Sequence, residues 1–138
     1  MYQTQQLSYT DAQKILNLAL EESLDAETRL GRGAAIAVVD AHGELLAFVR
    51  TDLCPLSSLT IAINKAYTAA RQRQESRELG EESRERGFPL TNFGELRYVG
   101  WGGGVPIEVD GKVIGAIGVS GLPEEVDMEI ARKAAGSL

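Results

Sequence analysis

Two short turns, each lying between two apolar runs, constrain the fold of this chain more than any other feature. Asp110-Gly111 has the residues of a type I′ turn, because both central positions of that turn need a positive φ. In the earlier link, Asp40 to Glu44, Gly43 supplies the positive φ for a turn followed by a bulge. The apolar runs beside these turns have strand length and cover 34–39, 45–49, 107–109 and 112–119. The chain is therefore expected to contain β-hairpins, which pair antiparallel strands.

Apolar residues at helical spacing predict helices before, between and after the hairpins. The expected helices cover 8–24, a long stretch from the serines at 57 and 58 to about 86, and 123–136. Within the long helix, we expect Gly80 and Gly87 to break or end the helical run. A further strand is expected at 97–99. Helices that cover an antiparallel sheet define an α+β fold.

Length and composition bound the organisation and the partners. The 138 residues and 43% hydrophobic content fit one domain spanning 1–138. The net charge of −6 has the wrong sign for a surface that neutralises phosphates, so we expect no nucleic-acid partner. No apolar run is long enough to cross a membrane, and the first residues lack a secretory apolar run, so we expect a cytoplasmic protein.

Cofactor motifs are scarce. One histidine, His42, and one cysteine, Cys54, do not supply the clustered ligands of a zinc site, so we expect no metal centre of that kind. The chain has neither a G-x-G-x-x-G dinucleotide fingerprint nor a phosphate-binding P-loop. We interpret Cys54 as a buried inert thiol and His42 as part of its turn.

Two features could carry chemistry. Lys65 lies on a helical flank with Ile61, Thr68 and Ala69, which is apolar for a solvated surface. A lysine among apolar neighbours has a lowered pKa and suits Schiff-base or proton-transfer chemistry, or it pairs with a carboxylate; the alternative is a structural lysine. The successive glycines 102–104 leave backbone N–H groups open to an anion, although a tight turn between strands explains them equally well.

Taken together, these segments resemble the GlcG/HbpS family, which includes the C-terminal domain of PduO-type proteins. The resemblance rests on 34–40, 43–48, 64–70, 102–107 and 110–121, in this order along nearly the whole chain. It implies a profilin-like fold with a five-stranded antiparallel sheet flanked by helices, and assembly into homo-oligomers. It also implies links to haem binding, to gene neighbourhoods for small-acid, diol and corrinoid metabolism, and to lyases acting on small aromatic substrates.

The chain departs from the family pattern at two places. Haem-binding relatives are expected to ligate iron with a histidine of the helical part, and the first helix here contains none. His42, in a turn, is a poor substitute, so haem would need a loose hydrophobic fit or an unusual ligand: Tyr67, Tyr98, Cys54 or Met128. Asn64 stands where the family more often has Asp, which removes the charge partner expected beside Lys65.

Three functional hypotheses follow. The first is a pocket for a small, anionic organic molecule between the Lys65 face and the glycine loop. If this site is catalytic, we expect proton transfer or elimination without a cofactor, as in a lyase or isomerase. The second is a haem carrier or sensor. The third is a structural subunit whose apolar Ile61 side is an oligomer interface. The residues assigned to the first hypothesis are Lys65, Tyr98 and Glu95 for catalysis, and Trp101, Gly102, Gly103, Gly104, Thr68 and Ser120 for ligand binding.

Overall fold

A computed structural model describes all residues, 1–138, and confirms the α+β class. Four antiparallel strands form one sheet in the order β2-β1-β4-β3. The elements in chain order are α1 (Tyr9–Leu30), β1 (Ala35–Asp40), β2 (Leu45–Arg50), α2 (Ser58–Gln72), α3 (Ser76–Arg86), a 3-10 turn (Leu90–Phe93), β3 (Gly104–Val109), β4 (Lys112–Ser120) and α4 (Glu124–Ala135).

Both predicted hairpins are present. Asp110 and Gly111 adopt φ values of 52° and 75°, which a type I′ turn requires, and they join β3 to β4. Gly43 has a φ of 90° in the turn between β1 and β2. The register of that pair shifts between Val38 and Val39, as a bulge requires.

The fifth strand, expected at 97–99, is absent. The backbone of this segment bonds to a helix side chain instead of to a strand. The N–H of Val99 donates to the hydroxyl oxygen of Thr68 over 3.0 Å, and the Thr68 hydroxyl lies 3.4 Å from the Arg97 carbonyl oxygen. The sheet therefore has four strands, and the profilin-like arrangement implied by the resemblance stays a prediction.

The helices differ from expectation in their ends. The Ser8 hydroxyl accepts the N–H of Asp11 and caps α1, which continues beyond Leu24 to Leu30. The long central helix is interrupted at Arg73, whose φ is 55°, and not at Gly80. Gly80 lies inside α3, which ends at Gly87 as predicted.

The sheet lies between two helical layers. Ile36 and Val38 of β1 face the core formed with α1 and α4, and the alternating residues Ala35, Ala37 and Val39 face α2. On the α2 side most contact residues are alanines, and the backbone of α2 packs directly over Gly118. This close packing positions the side chain of Lys65 against the end of β4. None of the helices is both long enough and apolar enough to cross a membrane.

Candidate functional site

A pocket of about 530 Å³ lies where the end of β4 meets the N-terminal ends of α2 and α4. This volume falls within the range of about 300–1,000 Å³ that is usual for small-molecule sites. The pocket is lined by Arg32, Ser57, Ser58, Ile61, Lys65, Trp101, Ser120, Gly121, Leu122, Glu124 and Asp127. Three residues predicted for ligand contact or catalysis, Lys65, Trp101 and Ser120, therefore lie together.

A buried ion pair lies in the wall of the pocket. The Lys65 amine donates to the Val119 carbonyl oxygen over 2.9 Å and lies 3.3 Å from Oδ2 of Asp127. Both side chains are only 4% exposed. The other oxygen of Asp127 accepts the N–H of Leu122 over 3.1 Å, which holds the carboxylate at the start of α4. The partner missing at Asn64 is thus supplied by a different helix.

Burial brings the pKa values of Lys65 and Asp127 closer together. Loss of solvation lowers the pKa of Lys65, although the Asp127 charge partly opposes the shift. Loss of solvation raises the pKa of Asp127 from 3.8 to about 6, although the Lys65 charge and the Leu122 N–H oppose it. The sequence-based expectation of a lysine amine with lowered pKa agrees with this direction.

The pocket also contains hydroxyls without a hydrogen-bond partner and a guanidinium without a counter-ion in the chain. Ser58 and Ser120 are each 5% exposed, and neither hydroxyl forms a hydrogen bond within the protein. The side chain of Ser57, at the start of α2, makes no capping hydrogen bond. Arg32 donates to the Gly121 carbonyl oxygen and forms no salt bridge. These groups are available to a ligand.

The glycine loop is partly occupied by the protein itself. The N–H of Gly102 donates to a Glu124 carboxylate oxygen over 2.6 Å, and that of Gly104 donates to the Ser76 hydroxyl over 2.9 Å. A Cβ on Gly103 would lie 2.9 Å from the Lys65 amine nitrogen, and its φ of 125° also favours glycine. The geometry thus explains the glycines at 103 and 104 by close packing against Lys65 and Ser76.

Tyr98, Glu95 and Thr68 lie outside this pocket. The Tyr67 hydroxyl bonds to Glu95, and the Arg71 guanidinium donates to the Tyr98 hydroxyl over 3.1 Å. Arg97 lies over the Tyr67 ring at 4.0 Å from its centroid. Burial and the hydrogen bond to Glu95 raise the pKa of Tyr67 to about 12. This cluster, with Thr68, ties the 88–99 segment to α2, so the structure does not bring Tyr98 or Glu95 to Lys65.

The polar lining residues that the sequence did not assign to the site include Arg32, Ser57, Ser58 and Asp127. One signal could have found Asp127, because it occupies the helix face shared by Ile130, Ala131 and Ala134 at spacings of three, four and seven. An acid on an apolar face needs a buried partner. No local pattern indicates Arg32, which lies in the link between α1 and β1.

The pocket lacks the donor groups that a haem iron requires. It contains no imidazole, thiolate, thioether or phenol, which are the side chains that usually ligate haem iron. His42 is exposed in the β1–β2 turn and lies outside this pocket. No group of three or more His, Cys, Asp or Glu side chains is arranged to hold a metal ion. The Lys65 pocket therefore does not fit haem.

The fold places the chain among small α+β domains in which helices cover both faces of an antiparallel sheet. It belongs to the HbpS-like family, because the family model described as haem degrading protein HbpS-like matches residues 7–136. The GlcG/HbpS resemblance is thereby confirmed.

Relatives and solved structures agree with this assignment. The chain is 41% identical over 102 residues to an uncharacterised 15.0 kDa protein of Citrobacter freundii, covering 71% of this chain and 70% of that protein. It is 28% identical over 134 residues to the corrinoid adenosyltransferase PduO of Salmonella typhimurium, covering 96% of this chain and 39% of PduO. It therefore spans about two-fifths of the length of PduO.

Two solved structures are similar over nearly the whole chain. Klebsiella pneumoniae ORFY has a TM-score of 0.86 at 29% identity and covers 100% of this chain and 96% of its own. A PduOC–haem complex has a TM-score of 0.84 at 29% identity, with coverages of 96% and 95%.

Proposed function

We propose that the pocket beside Lys65 binds a small organic anion. The observation that carries the proposal is the charge balance of the pocket lining. Lys65 is paired with Asp127, and Glu124 is held by the Gly102 N–H and by Arg77, whose guanidinium nitrogen lies 3.4 Å away. Arg32 is then the charged group without a counter-ion. An unpaired guanidinium favours a carboxylate because its planar fork matches the two carboxylate oxygens.

The remaining lining groups support the same class of ligand. The serine hydroxyls of Ser57, Ser58 and Ser120 can each donate to an anion oxygen. Trp101, which is 61% exposed, and Ile61 offer an apolar surface to the carbon part of the ligand. The ligand class is therefore a small carboxylate with a polar substituent near its acid group.

Fluorescence of Trp101, the only tryptophan of the chain, tests this proposal directly. We expect saturable changes in its emission with short carboxylates such as pyruvate or lactate. Arg32→Ala should weaken binding roughly tenfold to a hundredfold, since hydrogen bonds to charged groups contribute about 1.5–3 kcal/mol. Arg29→Ala, in the exposed last turn of α1, is the matched control and should bind normally. Equal affinity of the two variants would contradict the proposal.

Catalysis at this site remains a further part of the proposal. Proton transfer or elimination assisted by Lys65, without a cofactor, is the reaction type expected from the sequence. The titratable group beside the amine is Asp127, whereas Tyr98 and Glu95 belong to the cluster around Tyr67. We therefore assign the partner role to Asp127.

Haem binding is the second candidate function, because PduOC is similar in fold and was solved with haem. The imidazole for an iron ligand would be His42, the only histidine, with Arg71 and Arg73 lining the same depression of about 360 Å³. Titration with haemin tests it by absorption spectroscopy. A sharp Soret band that saturates at one haem per chain and disappears in His42→Ala would support haem binding, and a spectrum of free haemin throughout would rule against it.

Assembly into a homo-oligomer and a cytoplasmic location are further proposals. Ile61 lines the pocket, so Ile61→Glu would alter ligand binding together with any interface. Leu56, which is 76% exposed, offers a cleaner test outside the pocket lining. If this side of the molecule is an interface, Leu56→Glu should lower the mass measured by light scattering while carboxylate binding persists.

A further inference from the structure

The Lys65 amine retains one hydrogen-bond donor that the protein does not use. A lysine ammonium has three N–H groups, and the chain supplies two acceptors, the Val119 carbonyl oxygen and Asp127 Oδ2. Gly103 packs beside the amine in space. A Cβ at this position would lie 2.9 Å from Nζ, so any larger residue would crowd the amine. The third N–H thus has no acceptor in the chain, and Lys65 lines the pocket.

The partner of this amine is suited to accept its proton. Asp127 is as buried as Lys65, and the two groups are 3.3 Å apart. Burial lowers the pKa of Lys65 and raises that of Asp127, so the cost of moving a proton from the ammonium to the carboxylate is smaller than in water. The neutral amine, which is the nucleophilic form, is therefore formed at a smaller cost than in a solvated lysine.

We infer that Lys65 is a nucleophile that forms an imine with a short 2-oxo carboxylate held in the pocket by Arg32. This inference rests on the proposed anion site and adds a covalent step to it. The substrate class follows from the lining: an anionic end for the unpaired guanidinium, and a carbonyl group for the amine. The hydroxyls of Ser58 and Ser120 are the free donors available to the carbonyl oxygen.

The step balances without any other reactant. The ammonium of Lys65 transfers a proton to Asp127, and the amine nitrogen attacks the carbonyl carbon to give a carbinolamine. The carbinolamine loses its oxygen as water, and the proton held by Asp127 serves in this dehydration. The products are one water molecule and a protonated imine, whose positive charge lies beside the Asp127 carboxylate as the ammonium did.

Reductive trapping tests the inference with pyruvate as the probe. Wild-type protein is incubated with pyruvate and sodium cyanoborohydride, which reduces imines in preference to ketones, and the adduct is located by mass spectrometry of peptides. The exposed lysines Lys14, Lys112 and Lys133 are internal controls in the same sample. We expect Lys65 to be modified at least tenfold faster than any of them. Equal modification of all four, or none at Lys65, would overturn the inference.

Variants separate covalent chemistry from binding. Lys65→Arg keeps a cation beside Asp127 and should abolish the adduct at this position, and Asp127→Asn should slow trapping at Lys65 at least tenfold. Circular dichroism confirms that each variant is folded, and the comparison among lysines in the wild type does not depend on either variant.

Lactate, which has no carbonyl carbon to attack, separates failure of this inference from failure of the proposed function. If Trp101 fluorescence saturates with lactate and pyruvate but Lys65 stays unmodified, the anion site stands and the imine does not. If neither anion gives a saturable change, the proposed function fails as well.

Discussion

Replacing Gly80 by alanine has two opposing effects on stability: alanine favours the helix, but its methyl group must fit into a filled contact. Gly80 lies inside α3 and packs against the backbone of Gly100, the residue before Trp101. A Cβ at this position would lie 2.8 Å from the carbonyl carbon of Gly100 and 2.9 Å from its Cα, and closer still to the carbonyl oxygen. The substitution therefore inserts a methyl group into a contact between two backbones.

Helix propensity alone predicts that Gly80→Ala stabilises the protein by about 1 kcal/mol. Overpacking of a filled contact costs about 1–3 kcal/mol. The obstructing atoms belong to the Gly100 backbone and cannot rotate away as a side chain would, so the cost lies at the upper end of that range. We expect a net loss of about 2 kcal/mol in the free energy of unfolding.

Urea unfolding followed by circular dichroism measures this change. With a denaturant slope of about 2 kcal/mol/M, the midpoint should fall by about 1 M. The emission of Trp101 should shift in the folded variant, because the neighbouring Gly100 is displaced. The control is Gly136→Ala, where φ is −85° and the nearest atom to a new Cβ is 3.5 Å away. It should raise stability by about 0.4–1 kcal/mol. An unchanged or higher midpoint for Gly80→Ala would refute the reasoning.

Three further predictions concern the core, the tyrosine cluster and the ion pair. Ile117→Ala, at a fully buried position of β4, should cost about 2–5 kcal/mol in urea unfolding, because it leaves a cavity in the sheet core. Tyr67→Phe removes the hydrogen bond to Glu95 and should cost about 1 kcal/mol, measured in the same way. The pKa of Asp127 is raised from 3.8 to about 6 in the folded protein. Between these two pH values the folded protein therefore holds a proton that the unfolded chain has released. The stability of wild type relative to Asp127→Asn should therefore fall by about 3 kcal/mol as pH rises across that window, and a constant difference in denaturation experiments would contradict the shift.

The sequence predicted those elements that local interactions specify. The type I′ turn needs only the positive φ values that Asp110 and Gly111 adopt, and the start of α1 needs only the Ser8 cap. The strands of the two hairpins were predicted to within a few residues for the same reason. The prediction of a strand at 97–99 was wrong. The residues of this segment suit a strand, but its backbone bonds to Thr68, which lies 31 positions from Val99 along the chain.

The pocket could be predicted only in part. An apolar flank around Lys65 indicated a buried amine, because burial of a helix face follows from its spacing. The partner of that amine depends on how α4 packs against the sheet, and the hydrogen bond joins residues 62 positions apart. The sequence by itself determined the α+β class and the hairpins, since each depends on neighbouring residues, and it offered a buried Lys65 amine as one of two alternatives. Only the tertiary structure decided that Asp127 balances the lysine charge and leaves Arg32 unpaired, because charge pairing acts across space between groups that no local pattern connects.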